Sequence, residues 1–226
     1  MIPFLASVTT LAAIASAEAL LHQMHTVSAD FLLLLVLACV AAPHTLDLGH
    51  NARLSTLQPF LLAAIVLFGV KEAVAVAALS MTYFWLVGRP RLHPIKTVFN
   101  LCNFVLASWL GGHVFFLSGG RLGDVSSPES LVALLLTTLI FFVVHTGLMS
   151  IVVGIEQKID PFRVWYEKFS WTLNTQLMGA SLVILLGMLR PSFGAQVLFL
   201  ILPFCIMTYQ FFKAYFVRTS QRGHRA

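Results

Sequence analysis

Apolar residues come in eight runs along this chain, at about residues 3–21, 27–42, 55–69, 71–88, 95–118, 129–154, 170–189 and 193–216, with only short polar stretches between them. A helix needs about 20 apolar residues to cross a hydrocarbon core. The run 71–88 and the last four meet that length, whereas 27–42 and 55–69 are short and predict tilted, re-entrant or half-buried helices. The pattern predicts an all-α fold, a polytopic transmembrane helix bundle of six to eight spans, with eight the best single count. The bundle occupies residues 1–217, and a basic tail follows at 218–226. Composition agrees: 58% of residues are hydrophobic and 10% charged, against about 25% charged in ordinary globular domains. A soluble surface cannot be covered with so few polar groups, so the lipid bilayer is the predicted surrounding.

The fourteen Lys and Arg residues orient the bundle through the positive-inside rule. With eight spans and the tail inside, eleven fall on cytoplasmic segments and only Lys71, Arg121 and Arg190 outside. Both termini are therefore expected in the cytoplasm. Residues 1–21 lack a basic leader, and although Ala15-Ser16-Ala17 resembles a cleavage site, the first run reads as a retained span. The net charge of +5 does not point to nucleic acid, because its clusters at Arg89, Arg91 and Lys96 and at Arg218, Arg222 and Arg225 follow membrane topology.

The joints are legible. Gly69 separates two apolar halves, and Lys71-Glu72 after it reads as a polar tip. Gly88-Arg89-Pro90 ends one span, Gly119 to Pro128 forms an external loop, Pro128-Glu129 suits a first helical turn, and Arg190-Pro191 reads as a tight external turn. Residues 156–169 mix charges with Phe162, Trp165, Tyr166 and Phe169, the composition of an interfacial helix. Residues 43–56 predict a loop or short extended segment on the cytoplasmic face.

Polar side chains within spans are costly, so each is a candidate for function. Asn100 and Asn103 share one face of the fifth run, His113 lies further along it, His145 is in the sixth run, and Asn174 and Gln176 open the seventh. These six are the candidate ligand-binding residues; interhelical hydrogen bonding and a proton or ion path are the competing readings. His22 and His25, with Asp30, Glu72 and His113 on the same side, raise a metal site, but HxxH is a weak signal and no metal or other cofactor is assigned. Cys39, Cys102 and Cys205 lie in apolar runs without CxxC spacing, so they read as packing residues. The sequence lacks HExxH, GxSxG, Walker and GxGxxG motifs and has no paired carboxylates within a span, so no catalytic residue is assigned.

Three stretches carry a resemblance: residues 53–88; Lys96-Thr97-Val98-Phe99-Asn100 through Gly119-Gly120; and residues 139–216, with Trp165 to Trp171, Leu202-Pro203 and a Tyr-containing last helix. In that order they resemble the multi-span N-terminal sensory module of bacterial HD-GYP phosphodiesterases and diguanylate cyclases. The resemblance covers about three-quarters of the chain through hydrophobic pattern more than fixed polar anchors. It implies a non-catalytic sensory or scaffold module in a bacterial inner membrane, linking a small ligand or membrane state to a cytoplasmic signalling protein. It departs from the pattern in having His145 where an Asn would stand and no HD or GGDEF sequence after residue 217. The alternative is a vitamin-like small-molecule binding subunit of a transporter, with a coupling subunit as partner; an intramembrane enzyme ranks third. A homodimer is compatible with either leading reading.

Overall fold

The computed structural model describes residues 2–21, 28–43, 45–47, 53–87, 94–208 and 210. His22, His25, the Gly88-Arg89-Pro90 joint, the tip of the 43–56 segment and the basic tail lie outside these residues. The helices in chain order are α1 (Ile2–Leu21), α2 (Ala29–Ala41), α3 (Gln58–Leu67), α4 (Val70–Val87), α5 (Pro94–Leu117), α6 (Pro128–Gln157), α7 (Pro161–Val164) and α8 (Leu173–Phe193). A two-stranded antiparallel ribbon, β1 (Thr45–Asp47) with β2 (Arg53–Ser55), joins α2 to α3 and pairs Leu46 with Leu54. The extended segment expected there is thus a hairpin, and the rest of the described chain is helical or turn.

Four helical stretches are long and apolar enough to cross a membrane: Val70–Val87, Pro94–Leu117, Pro128–Gln157 and Pro161–Thr208. The last of these holds two arms. Gln58 at the start of α3 reaches Gln176 O, and nearby Thr56 O accepts from the Cys205 thiol. Residues 194–205 therefore run back alongside α8 after a reversal at Gly194, whose φ of +64° is left-handed. Helices α2 and α3 have 13 and 10 residues, so they are about 20 and 15 Å long, short of a hydrocarbon core. Outward faces are apolar: α6 exposes Leu131, Val132, Leu135, Leu136, Leu139 and Val143, a helical stripe suited to lipid.

Helix α3 is the centre. All ten of its residues are buried, and α2, α4, α5 and α8 pack around it. It starts with Pro59 in its first turn, where a missing N–H removes no helical bond. It ends because Gly69 takes φ +118°, a conformation that a side chain makes unfavourable. The loop between α5 and α6 closes this end: Gly123 N–H donates to Val66 O at 2.7 Å. Helix α5 lies between α4 and α6 and also supports α1. Its contact with α4 is close enough that a Cβ on Gly112 would come 2.9 Å from Val70 Cγ2.

Two sequence expectations change. Arg190-Pro191 is no turn: α8 continues through Pro191 to Phe193. The ring removes one N–H near the helix end, where the loss is small, and Gly194 provides the actual reversal. The aromatics of 156–169 do not share one environment. Phe162 and Tyr166 face outward, Phe169 is buried, and Trp165 Nε1 donates to Thr146 Oγ1 of α6 at 2.8 Å. A π-helical turn over Trp165–Phe169 carries this segment into α8. By contrast, the predicted start of α6 is present, with Ser127 Oγ capping Ser130 N–H ahead of Pro128 and Glu129 in the first turn.

Candidate functional site at the helix break

Between α3 and α4 the chain opens a cavity of about 310 Å³, lined by Phe68, Gly69, Val70, Lys71, Glu72, Phe116 and Leu122. Such a volume lies at the small end of ligand sites, roughly 300–1,000 Å³. The elements that make it are the Gly69 break, the first turn of α4, the end of α5 and the loop leading to α6. Phe116 and Leu122 supply apolar wall, and the first turn of α4 supplies charge.

Glu72 is the unusual member. Its exposure is 4%, and its Oε1 is buried without a hydrogen-bond partner among the described residues. Its other carboxylate oxygen lies 3.1 Å from the place where a Cβ on Gly69 would stand. Glycine therefore makes room for the carboxylate as well as for the turn. A first-turn position gives an anion some support from the helix dipole, yet a buried carboxylate oxygen without a partner remains expensive. Lys71-Glu72 reads in sequence as a solvated tip; the structure buries the glutamate because Gly69 folds α4 back beneath the α5–α6 loop. The signal that could have found it is an acid three residues after a lone Gly between two apolar helices.

Two polar contacts flank the cavity at the same end of the bundle. Arg190 Nη2 donates to Asp30 Oδ2 at 2.7 Å, and its guanidinium lies 5.3 Å from the Phe68 ring centre. Glu18 accepts from Trp109 Nε1 at 2.8 Å and stands 3.5 Å from His113 Nε2. Further round, the α5–α6 loop is tied by Asp124, which accepts from Ser126 N–H at 2.8 Å and from Ser127 N–H at 3.3 Å. Bonds from Ser127 and Ser126 hold its carboxyl far below the usual carboxylate range.

Four of the six candidate residues fall in three places, and Asn100 and Asn174 in none of them. Asn103 and His145 meet between α5 and α6, with Asn103 Nδ2 donating to His145 O at 3.0 Å and the Phe104 ring centre 4.4 Å from the imidazole. Asn103 Oδ1 and His145 Nδ1 are buried there without hydrogen-bond partners among the described residues. The backbone O of Gln176 accepts from Gln58 Nε2 at the start of α3, its own side-chain oxygen being buried without a partner among the described residues, while His113 belongs to the Glu18–Trp109 contact. Asn100 is half-buried and Asn174 exposed, so neither joins a common pocket with the others. None of the six lines the cavity at the helix break.

The metal constellation also separates. Asp30 pairs with Arg190, His113 with Glu18, and Glu72 lies at the cavity. Among the described residues no three His, Cys, Asp or Glu side chains converge as a metal site. The three cysteines are free thiols, Cys102 and Cys205 buried and Cys39 half-buried. Among the described residues Glu72 is the one carboxylate on the cavity wall, so the lining offers an acceptor for a donor or cation rather than an acid–base pair. Compared with protein-family models, curated proteins and solved structures, the chain matches none.

Proposed function

We propose that this chain is a multi-pass membrane module that binds a small ligand at the Gly69 break and passes occupancy to a cytoplasmic partner. The observation that carries the reading is the buried Glu72 carboxylate on the wall of a 310 Å³ cavity. A buried ionisable group within a bundle is expensive to keep and points to a ligand or ion. The apolar helices and the division of basic residues support a membrane setting with the cavity on the outer face and both termini inside. The resemblance to bacterial sensory modules supports a bacterial inner membrane and a signalling partner. The basic stretch after residue 208 is the segment that would meet that partner.

A second reading is a binding subunit of a small-molecule transporter. It is favoured by the cavity itself, which opens where two apolar helices meet at Gly69. Sensor and carrier share the binding step and differ in whether the bound ligand is signalled or carried across.

The test uses the full chain in mild detergent. Co-purifying small molecules are identified by mass spectrometry, and hydrogen exchange is followed over residues 200–217 with and without the compound. A Leu122→Trp variant fills the cavity from a loop position that is 49% exposed, so the fold is retained. The expected result is a stoichiometric compound that the variant loses, together with slower exchange over residues 200–217 of the loaded wild type. A compound retained by the variant would remove the cavity from consideration. Vesicle uptake that requires an added ATP-driven partner would decide for the carrier.

A further inference from the structure

The cavity has a sharper chemical preference than its size implies. We propose that it selects a small organic ammonium, an apolar ring or short chain carrying one protonated amine, with the amine hydrogen-bonded to Glu72. This rests on the ligand-binding reading above and adds the ligand's class.

Three observations converge. First, Glu72, one oxygen of which is buried without a donor among the described residues, lines a wall that is otherwise largely apolar, formed with Phe68, Val70, Phe116 and Leu122. A protonated amine supplies both the missing donor and the balancing charge, and such charge-assisted bonds are the strong ones. Second, the cavity end of the bundle is acidic in a basic protein. It holds Glu18, Asp30, Glu72, Asp124 and Glu129 against Lys71, Arg121 and Arg190, whereas the whole chain carries +5. Asp30 is already paired with Arg190, and Glu18 is held by Trp109 and His113. Of these carboxylates Glu72 is the one among the cavity's lining residues, within a field that draws cations. Third, Lys71 stands on the same wall. Its fixed charge disfavours a compact divalent cation, and the space is too apolar for a hydrated one; a monovalent ammonium with an apolar body suits both.

The test uses detergent-solubilised full-length chain and three probes of nearly equal size: 2-phenylethylammonium, 2-phenylethanol and 3-phenylpropanoate. Affinity is read by calorimetry and by the shift in thermal midpoint. The ammonium is expected to bind about tenfold tighter than the alcohol, and the carboxylate weakest. Glu72→Gln keeps shape and removes charge; the preference for ammonium over alcohol should fall to within about twofold. Leu122→Trp should abolish binding of all three. Alcohol binding as tight as ammonium binding overturns the proposal, as does an undiminished preference in Glu72→Gln. Should that variant fail to fold, the wild-type order decides, because propanoate binding tighter than alcohol would contradict an anionic site. If no probe binds but a co-purified compound is still lost in Leu122→Trp, the ammonium assignment fails alone. If Leu122→Trp affects neither probe nor compound, the cavity reading fails with it.

Discussion

Where α6 ends, Lys96 and Glu156 form a 2.8 Å ion pair with both side chains more than a third exposed. Where α3 ends, at the other end of the bundle, Glu72 is 4% exposed and one of its oxygens has no hydrogen-bond partner among the described residues. The first arrangement is how surface charge is ordinarily handled, and it contributes little, about 0–1 kcal/mol. The second opposes folding, since a carboxylate oxygen is removed from water without compensation. Stability alone would replace Glu72 with an apolar residue. The two ends therefore differ in how they treat an acid: one leaves it paired in water, the other buries it beside a cavity.

The strongest way to break this contrast is to fill the turn that makes it. Gly69→Val places a β-branched residue at φ +118° and crowds the carboxylate of Glu72. A loss of about 3 kcal/mol or failure to fold is expected, read by thermal unfolding in detergent; an unchanged midpoint would mean that the break is not strained by side chains. Glu72→Leu should do the opposite and raise stability by about 1–2 kcal/mol while abolishing ammonium binding. A fall in the thermal midpoint would show instead that the carboxylate is structurally satisfied. Asn103→Leu removes the bond to His145 O and should destabilise by about 1 kcal/mol, without changing the order of probe affinities. Loss of ammonium preference in that variant would move the site to the α5–α6 interface.

Smaller effects sharpen the comparison. Glu156→Gln should shift stability by less than about 0.5 kcal/mol, and the shift should shrink in high salt. Asp124 provides a pH reference in the loop over the cavity. Its folded pKa is depressed by Ser127 and Ser126, so its contribution is complete above the unfolded value of about 3.9 and is lost only as pH falls towards the lower folded value. Amide exchange at Ser126 and Ser127 should stay slow on acidification from pH 7 to about 4, once corrected for intrinsic rates. Asp124→Asn should speed that exchange and remove its further dependence on acid.

Much of the architecture was open to reading from composition and periodicity. The runs 95–118 and 129–154 became α5 and α6 because their length and apolarity allow little else, and Ser127-Pro128-Glu129 carried its own capping chemistry. Gly69 was legible as a break for the same local reason. The fate of Glu72 was not, because its burial depends on how α4 packs after the reversal at Gly69, which spacing along the chain does not give. Adjacent Lys71 made a solvated tip the natural local reading. The inward aim of Trp165 depends likewise on Thr146, and the continuation of α8 through Pro191 on Gly194 beyond it. Of the six polar candidates five are buried or half-buried and Asn174 is exposed. One-dimensional spacing gave no means of telling that they do not share one place.

Helix α3, with every residue covered by protein, has a consequence for how such a chain is made. At ten residues it is too short to be held by lipid on its own merits. Insertion machinery would have to accept it together with a longer neighbour, and α4, joined through Gly69, is the adjacent candidate. Its central position is then acquired only as α5 and α8 close around it. The cavity at the helix break would consequently be among the last parts of the molecule to mature, and an unfinished chain would hold the apolar segments without yet enclosing it.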